Sequence, residues 1–217
     1  MFVWDKYKMS NRTRNIFSFL MLFNKKKLKK SYVKSLGDLE AKIELVEETT
    51  AHCKLKNWHD LFIIWNNAGF ILTTSLDLKI LGEQLSINNG FGKSEVAMKH
   101  LCVLIYETLM DLEKIFSKEF YKALKTLKIN QQSIMNFNAR KKVISEMKKT
   151  YHEDLKKVRN IIGAHRDHDF LTQMQIFKSL DRSAILKIMT EFDSNLNSLA
   201  EALQVIFTEG SNNFIKP

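Results

Sequence analysis

The chain has 217 residues, 45% of them apolar, with one proline, seven glycines and two cysteines, and a formal charge of +10. This composition excludes wholesale disorder, collagen-like repeats and a disulfide framework, and a single proline argues against a many-turned β-sandwich. The charge is one-sided: residues 1–36 carry ten Lys or Arg against Asp5, a net +9, which leaves residues 37–217 near neutral.

Residues 1–30 read as a basic N-terminal extension. Lys25, Lys26, Lys27, Lys29 and Lys30 form its densest run and are candidate contacts for a polyanion, with a solvated basic surface as the plain alternative. Within it, 16–23 is apolar apart from Ser18, but its eight residues fall short of what a membrane-spanning helix needs. Basic residues on both sides and the lack of a small-residue cleavage site set it apart from a secretory signal. No transmembrane segment is therefore expected. A stretch lying on an anionic membrane surface through Phe17, Leu20, Met21 and Phe23 stays open as a third reading. Cys53 and Cys102 belong to no C-x-x-C pair and read as reduced thiols of a cytoplasmic protein.

Residues 31–217 read as a single all-α domain, a helical bundle. The spacing predicts a charged helix over 31–56 with Leu36, Leu39, Ile43 and Val46 on its apolar side. An apolar helix follows over 58–87, where Trp58 and Trp65 stand at i, i+7, a core spacing. The loop 88–93 precedes a helix over 94–124 opened by Ser94 and carrying Met98, Leu101, Cys102, Ile105, Leu109, Leu112 and Phe116. A polar connection over about 125–138 leads to a stripe of Val143, Met147, Tyr151, Leu155, Val158 and Ile162, broken at Gly163. The connection 166–182 holds Phe170, Met174 and Phe177 and is expected to pack. A nearly heptad-like helix over 183–207 is expected to stop at Gly210. No period-two run appears, so no sheet is predicted.

Gly92-Lys93-Ser94 resembles the end of a phosphate loop, but the glycine that pattern needs at position 87 is Ile87. Nucleotide hydrolysis is not expected. The densest functional cluster is 159–169, Arg-Asn-Ile-Ile-Gly-Ala-His-Arg-Asp-His-Asp. A metal site would draw on His165 and His168 with Asp167 or Asp169, yet no further ligands stand at a recognised spacing, so neither metal nor cofactor is expected. A helix end answered by basic side chains explains one or two of these charges, but not the whole cluster. His52, His59 and His100 show no partners, and His152 reads as a surface residue.

Arg159-Asn160, four residues and His165 make an R-N-x4-H pattern, which resembles the signature of the HEPN superfamily, in particular its abortive-infection branch. The resemblance covers about 94–207, with 31–87 completing the bundle. It implies a helical homodimer whose two motifs face each other in a composite site, a metal-independent endoribonuclease acting as a toxin or phage-defence effector, and an antitoxin of nucleotidyltransferase type as a partner. A non-catalytic RNA-binding or partner-binding module of the same family is the alternative.

The chemistry is consistent with that resemblance. Cleavage of RNA without a metal needs a base for the 2′-hydroxyl and a cation for the phosphate; His165 suits the first role and Arg159 the second. Asn160 is the candidate orienting residue, while Arg166, Asp167 and His168 are candidate substrate contacts. In an unbroken helix Arg159 and His165 would stand about 120° apart, so an unwound turn at Gly163 or a second subunit must unite them.

Overall fold

The computed structural model describes residues 25–87, 93–160 and 178–215, together with Leu171 and Gln175. These residues are all-α, with six helices and no strand among them: α1 (Lys25–Leu55), α2 (His59–Ile87), α3 (Lys93–Ile115), α4 (Lys118–Thr126), α5 (Gln131–Val158) and α6 (Arg182–Ile215). The lysine run 25–30 thus opens α1 instead of preceding the helical part of the chain. Residues 1–24, 88–92, most of 161–177 and 216–217 lie outside the described residues, as do His165, Arg166, Asp167 and His168.

The helices contribute to two compact units, each assembled from three stretches of chain. One comprises Met1–Gly37, Asp77–Glu107 and Thr150–Phe192. Among its described residues the core is built from Leu78, Leu85, Leu101, Ile105, Leu155 and Ile185, all 1% exposed or less. The buried thiol of Cys102 lies in the same unit. Here α6 begins on a capped turn, with the Ala184 N–H donating to Asp181 Oδ1 at 2.9 Å. The Arg182 guanidinium donates to the Leu85 and Ser86 carbonyls, which answers the C-terminal end of α2.

The other unit comprises Asp38–Leu76, Thr108–Lys149 and Asp193–Pro217. Its core centres on Phe116, Phe120 and Phe137, whose ring centroids lie 4.8–5.3 Å apart. Trp65, half-buried, stacks on Phe207 at 4.5 Å, so the core role read from its spacing is met by an aromatic partner on α6. Trp58 packs against Phe214 at 4.8 Å and His52 at 5.2 Å, which gives His52 a partner.

Local chemistry explains where these helices end. Asn57 closes α1 in the left-handed conformation (φ 57°), with the Trp58 N–H reaching the Cys53 carbonyl at 2.9 Å. The helix expected over 94–124 breaks at Phe116–Ser117. Its last carbonyls are captured by side chains: Asn67 Nδ2 donates to the Ile115 carbonyl at 2.9 Å and Lys141 Nζ to that of Phe116 at 3.1 Å. Ser94 lies inside α3 instead of capping it, its hydroxyl donating to Glu95 Oε2 at 3.1 Å.

The polar connection expected over 125–138 is mostly helix. Asn130 caps α5 by accepting the Gln132 N–H at 2.8 Å, and Glu209 takes the Asn130 N–H and the Ser133 hydroxyl. Only 127–130 remains as a turn, with Lys128 at φ 52°; Asn213 Nδ2 fastens it by donating to the Leu127 and Lys128 carbonyls.

Gly210 does not stop α6, which runs on to Ile215. A Cβ at that position would stand 3.4 Å from Leu127 and 3.5 Å from Ile129, so this glycine marks a close approach to the turn. α2 is long and apolar enough to cross a membrane by length and composition, and half of that stretch is buried within the protein.

Candidate functional site

Of the residues singled out in the sequence, Arg159 and Asn160 are described, and they stand together. α5 keeps its apolar stripe buried through Tyr151, Leu155 and Val158. Arg159 follows at the edge of that stripe, half-buried as its phase requires, and Asn160 is exposed. Beyond Val158 the chain widens into a π-type turn at 159–160, so the 100° per residue of an unbroken α-helix fails there, four residues before Gly163.

The Arg159 guanidinium is fixed at two points. Its Nε donates to Glu107 Oε1 at 2.7 Å across the packed face of α3 and α5, and Nη1 donates to Asn160 Oδ1 at 3.2 Å. The side chain keeps 27% of its surface exposed and that of Glu107 keeps 42%. Guanidinium carries five N–H donors, so two fixed bonds set the plane of the fork and leave further donors for an anion. Asn160, the candidate orienting residue, places its amide oxygen on Arg159, while His165 lies outside the described residues.

Glu107 is the residue that sequence reasoning missed. It lies 52 positions from Arg159, on a face of α3 whose acids look like ordinary surface charges. The one available signal was the stripe itself, because Ile105 and Leu109 bury their faces and leave Glu107 at the margin of the helix contact.

One heptad before Arg159, His152 packs its ring on Tyr106 at 5.5 Å, and its Nδ1 meets Glu153 Oε1 at 2.8 Å. It is half-buried, with 26% of its side chain exposed, and so differs from the surface residue expected. Tyr151 donates its hydroxyl to Glu191 Oε2 at 2.9 Å, and Asp154 is 4% exposed, which places a buried carboxylate five residues before Arg159. His59 and His100 are exposed.

All five lysines of the basic run lie on the first turns of α1, and Lys29 and Lys30 are exposed there. Among the described residues no group of three or more His, Cys, Asp or Glu is placed to hold a metal ion. Cys102 is fully enclosed, and burial pushes its thiol up to about 12, far from a nucleophile at neutral pH. No family model, curated protein or solved structure matches this chain, and the likeness of 159–165 to the HEPN signature stands on those residues themselves.

Proposed function

We propose that the protein is a metal-independent endoribonuclease of HEPN type, a toxin or defence effector, with Arg159 as the phosphate clamp and His165 as the base. The observation that carries this reading is the preparation of Arg159. A surface arginine ordinarily samples many rotamers, at a cost of up to ~2 kcal/mol when it is ordered. Here Glu107 and Asn160 have already fixed the fork at the half-exposed end of α5. A clamp held in place before the substrate arrives can act on the charge growing at phosphorus in the transition state.

In this mechanism His165 removes the ribose 2′-hydroxyl proton, the 2′-oxygen attacks the adjacent phosphorus, and the bond to the 5′-oxygen of the next nucleotide breaks as that oxygen takes up a proton from water. The products are a 2′,3′-cyclic phosphate and a 5′-hydroxyl. Homodimerisation, expected from the family likeness, would bring two such motifs together.

The test is cleavage of single-stranded RNA by the purified chain in excess EDTA. Wild type should yield cyclic-phosphate ends, while Arg159→Ala and His165→Ala should each lose at least 100-fold in rate, the scale of removing a base or an oxyanion partner. RNA that is bound but not cut would leave the non-catalytic module of the same family. Cutting at an undiminished rate by both variants would refute the assignment.

A further inference from the structure

The start of α1 is a concentrated cationic surface. Six lysines fall within the ten residues from Lys25 to Lys34, and the first acid of the helix is Asp38. Positions 26, 30 and 34 follow one another at i, i+4. Each step is ~6 Å along the helix, the scale of the separation between successive phosphates in a nucleic-acid strand. Like charges at that spacing oppose one another, and no acid in the first turn offsets them. This stretch is therefore more stable with an anion against it than alone.

The lysines stand on the outer side of the helix. Lys29, Lys30 and Lys34 are exposed. Tyr32 and Leu36, each two residues past a lysine of that ladder and so about 160° round the helix, are half-buried. Tyr32 sets its hydroxyl 3.5 Å from Ser86 Oγ on α2. The apolar side of this stretch is thus already used within the protein, whereas a helix lying on a membrane buries such a side in lipid. Among the described residues up to Asp38, Val33 is the one exposed large hydrophobic. Cations without an exposed aromatic or an apolar stripe complement a chain of phosphates.

We infer that residues 25–34 of α1 are a docking surface for the phosphodiester backbone of RNA, bound without regard to base sequence. The choice of RNA over DNA rests on the reaction proposed above; the surface itself reads phosphate. These residues belong to the same compact unit as Arg159, so the strand is held on the body that carries the clamp.

Fluorescence anisotropy of the full chain with a labelled 2′-O-methyl RNA strand, which has no 2′-hydroxyl to attack, measures binding apart from cleavage. Wild type should bind adenine-rich and uracil-rich strands within about threefold of each other. Its log K should fall against log salt with a slope of about −4, at ~0.7 for each of six phosphate contacts. Lys29→Gln, Lys30→Gln and Lys34→Gln combined should weaken binding about tenfold or more at low salt and make the slope shallower by about 2. Arginine at the same three positions should keep the slope.

An unchanged slope in the glutamine variant would overturn the proposal. So would displacement of the RNA by polyglutamate as readily as by unlabelled strand. Tighter, lysine-dependent binding to vesicles of equal parts phosphatidylcholine and phosphatidylserine would assign the surface to a membrane instead. Should the glutamine variant lose its helical signal, a wild-type slope shallower than about −2 overturns the proposal alone. The two readings fail separately: a chain that binds with the expected slope and never cuts removes the nuclease alone, and cutting with an unaltered slope in the glutamine variant removes the docking surface alone.

Discussion

Glu107 and Arg159, 52 residues apart in the chain, meet with 2.7 Å between Oε1 and Nε. A half-exposed pair of this kind contributes at most ~1 kcal/mol to stability, so its consequence is orientation. Glu107→Gln keeps an oxygen that can accept from Nε, and RNA cleavage should stay within about threefold of wild type. Glu107→Ala frees the fork and should lower kcat about 10- to 100-fold, the cost of misplacing a group by an ångström or so. The melting temperature should hardly move in either variant. Equal activity in both would remove Glu107 from the site.

Two helical glycines should respond to alanine by different amounts. At Gly210 the added Cβ meets Leu127 at 3.4 Å, Ile129 at 3.5 Å and Ile64 at 3.7 Å, ordinary contact distances. Gly210→Ala should therefore gain most of the ~1 kcal/mol by which alanine exceeds glycine inside a helix. At Gly82 the Cβ would stand 2.9 Å from Met189 Sδ and 3.2 Å from its Cε. Gly82→Ala should gain less, because the flexible thioether end of Met189 has to shift to make room. Urea midpoints of the two variants measure the difference.

Lys128 holds a left-handed backbone (φ 52°) at the turn between α4 and α5. A side chain there costs ~1–2 kcal/mol relative to glycine in the folded state. Glycine gives back part of that through its freer unfolded chain, so Lys128→Gly should stabilise by roughly 0.5–1 kcal/mol. Thermal melting of the single variant would show it as a raised midpoint.

Cys102 sets a pH dependence. Its thiol is pushed up to about 12 in the folded protein by burial, whereas an unfolded cysteine ionises near its ordinary value of 9.0. Above pH 9 the unfolded chain loses this proton and the folded chain keeps it, so stability is full below that pH and declines towards pH 12. Cys102→Ala should flatten this decline relative to wild type in urea titrations at pH 8 and 10.5. Iodoacetamide at pH 8 should leave Cys102 unmodified until the chain unfolds.

The helical class was legible because buried positions recur at intervals of three and four. Met98, Leu101, Cys102, Ile105, Leu109 and Leu112 were read from spacing alone, and all are buried. The ends of helices were less legible, because partners distant in sequence decide them. Nothing near Phe116 announces that Asn67 and Lys141 will take the carbonyls there. Gly210 has the composition of a stop, yet Glu209 and Asn213 on either side of it grip the 127–130 turn and keep α6 running. The same holds for the candidate site: Arg159 and Asn160 could be named from the motif, but the carboxylate that meets Arg159 comes from another helix.

The bond from Asn67 to the last carbonyl of α3 has a mechanical meaning for α2. A helix that slides along its axis must repack the side chains it presents to its neighbours, which already disfavours a shift. The Asn67 amide is 4% exposed and has one acceptor placed to receive it. Slippage by a single notch would strand a polar group among hydrocarbon, at ~1–3 kcal/mol. Alongside the packing, this residue acts as a detent that favours one axial setting of α2.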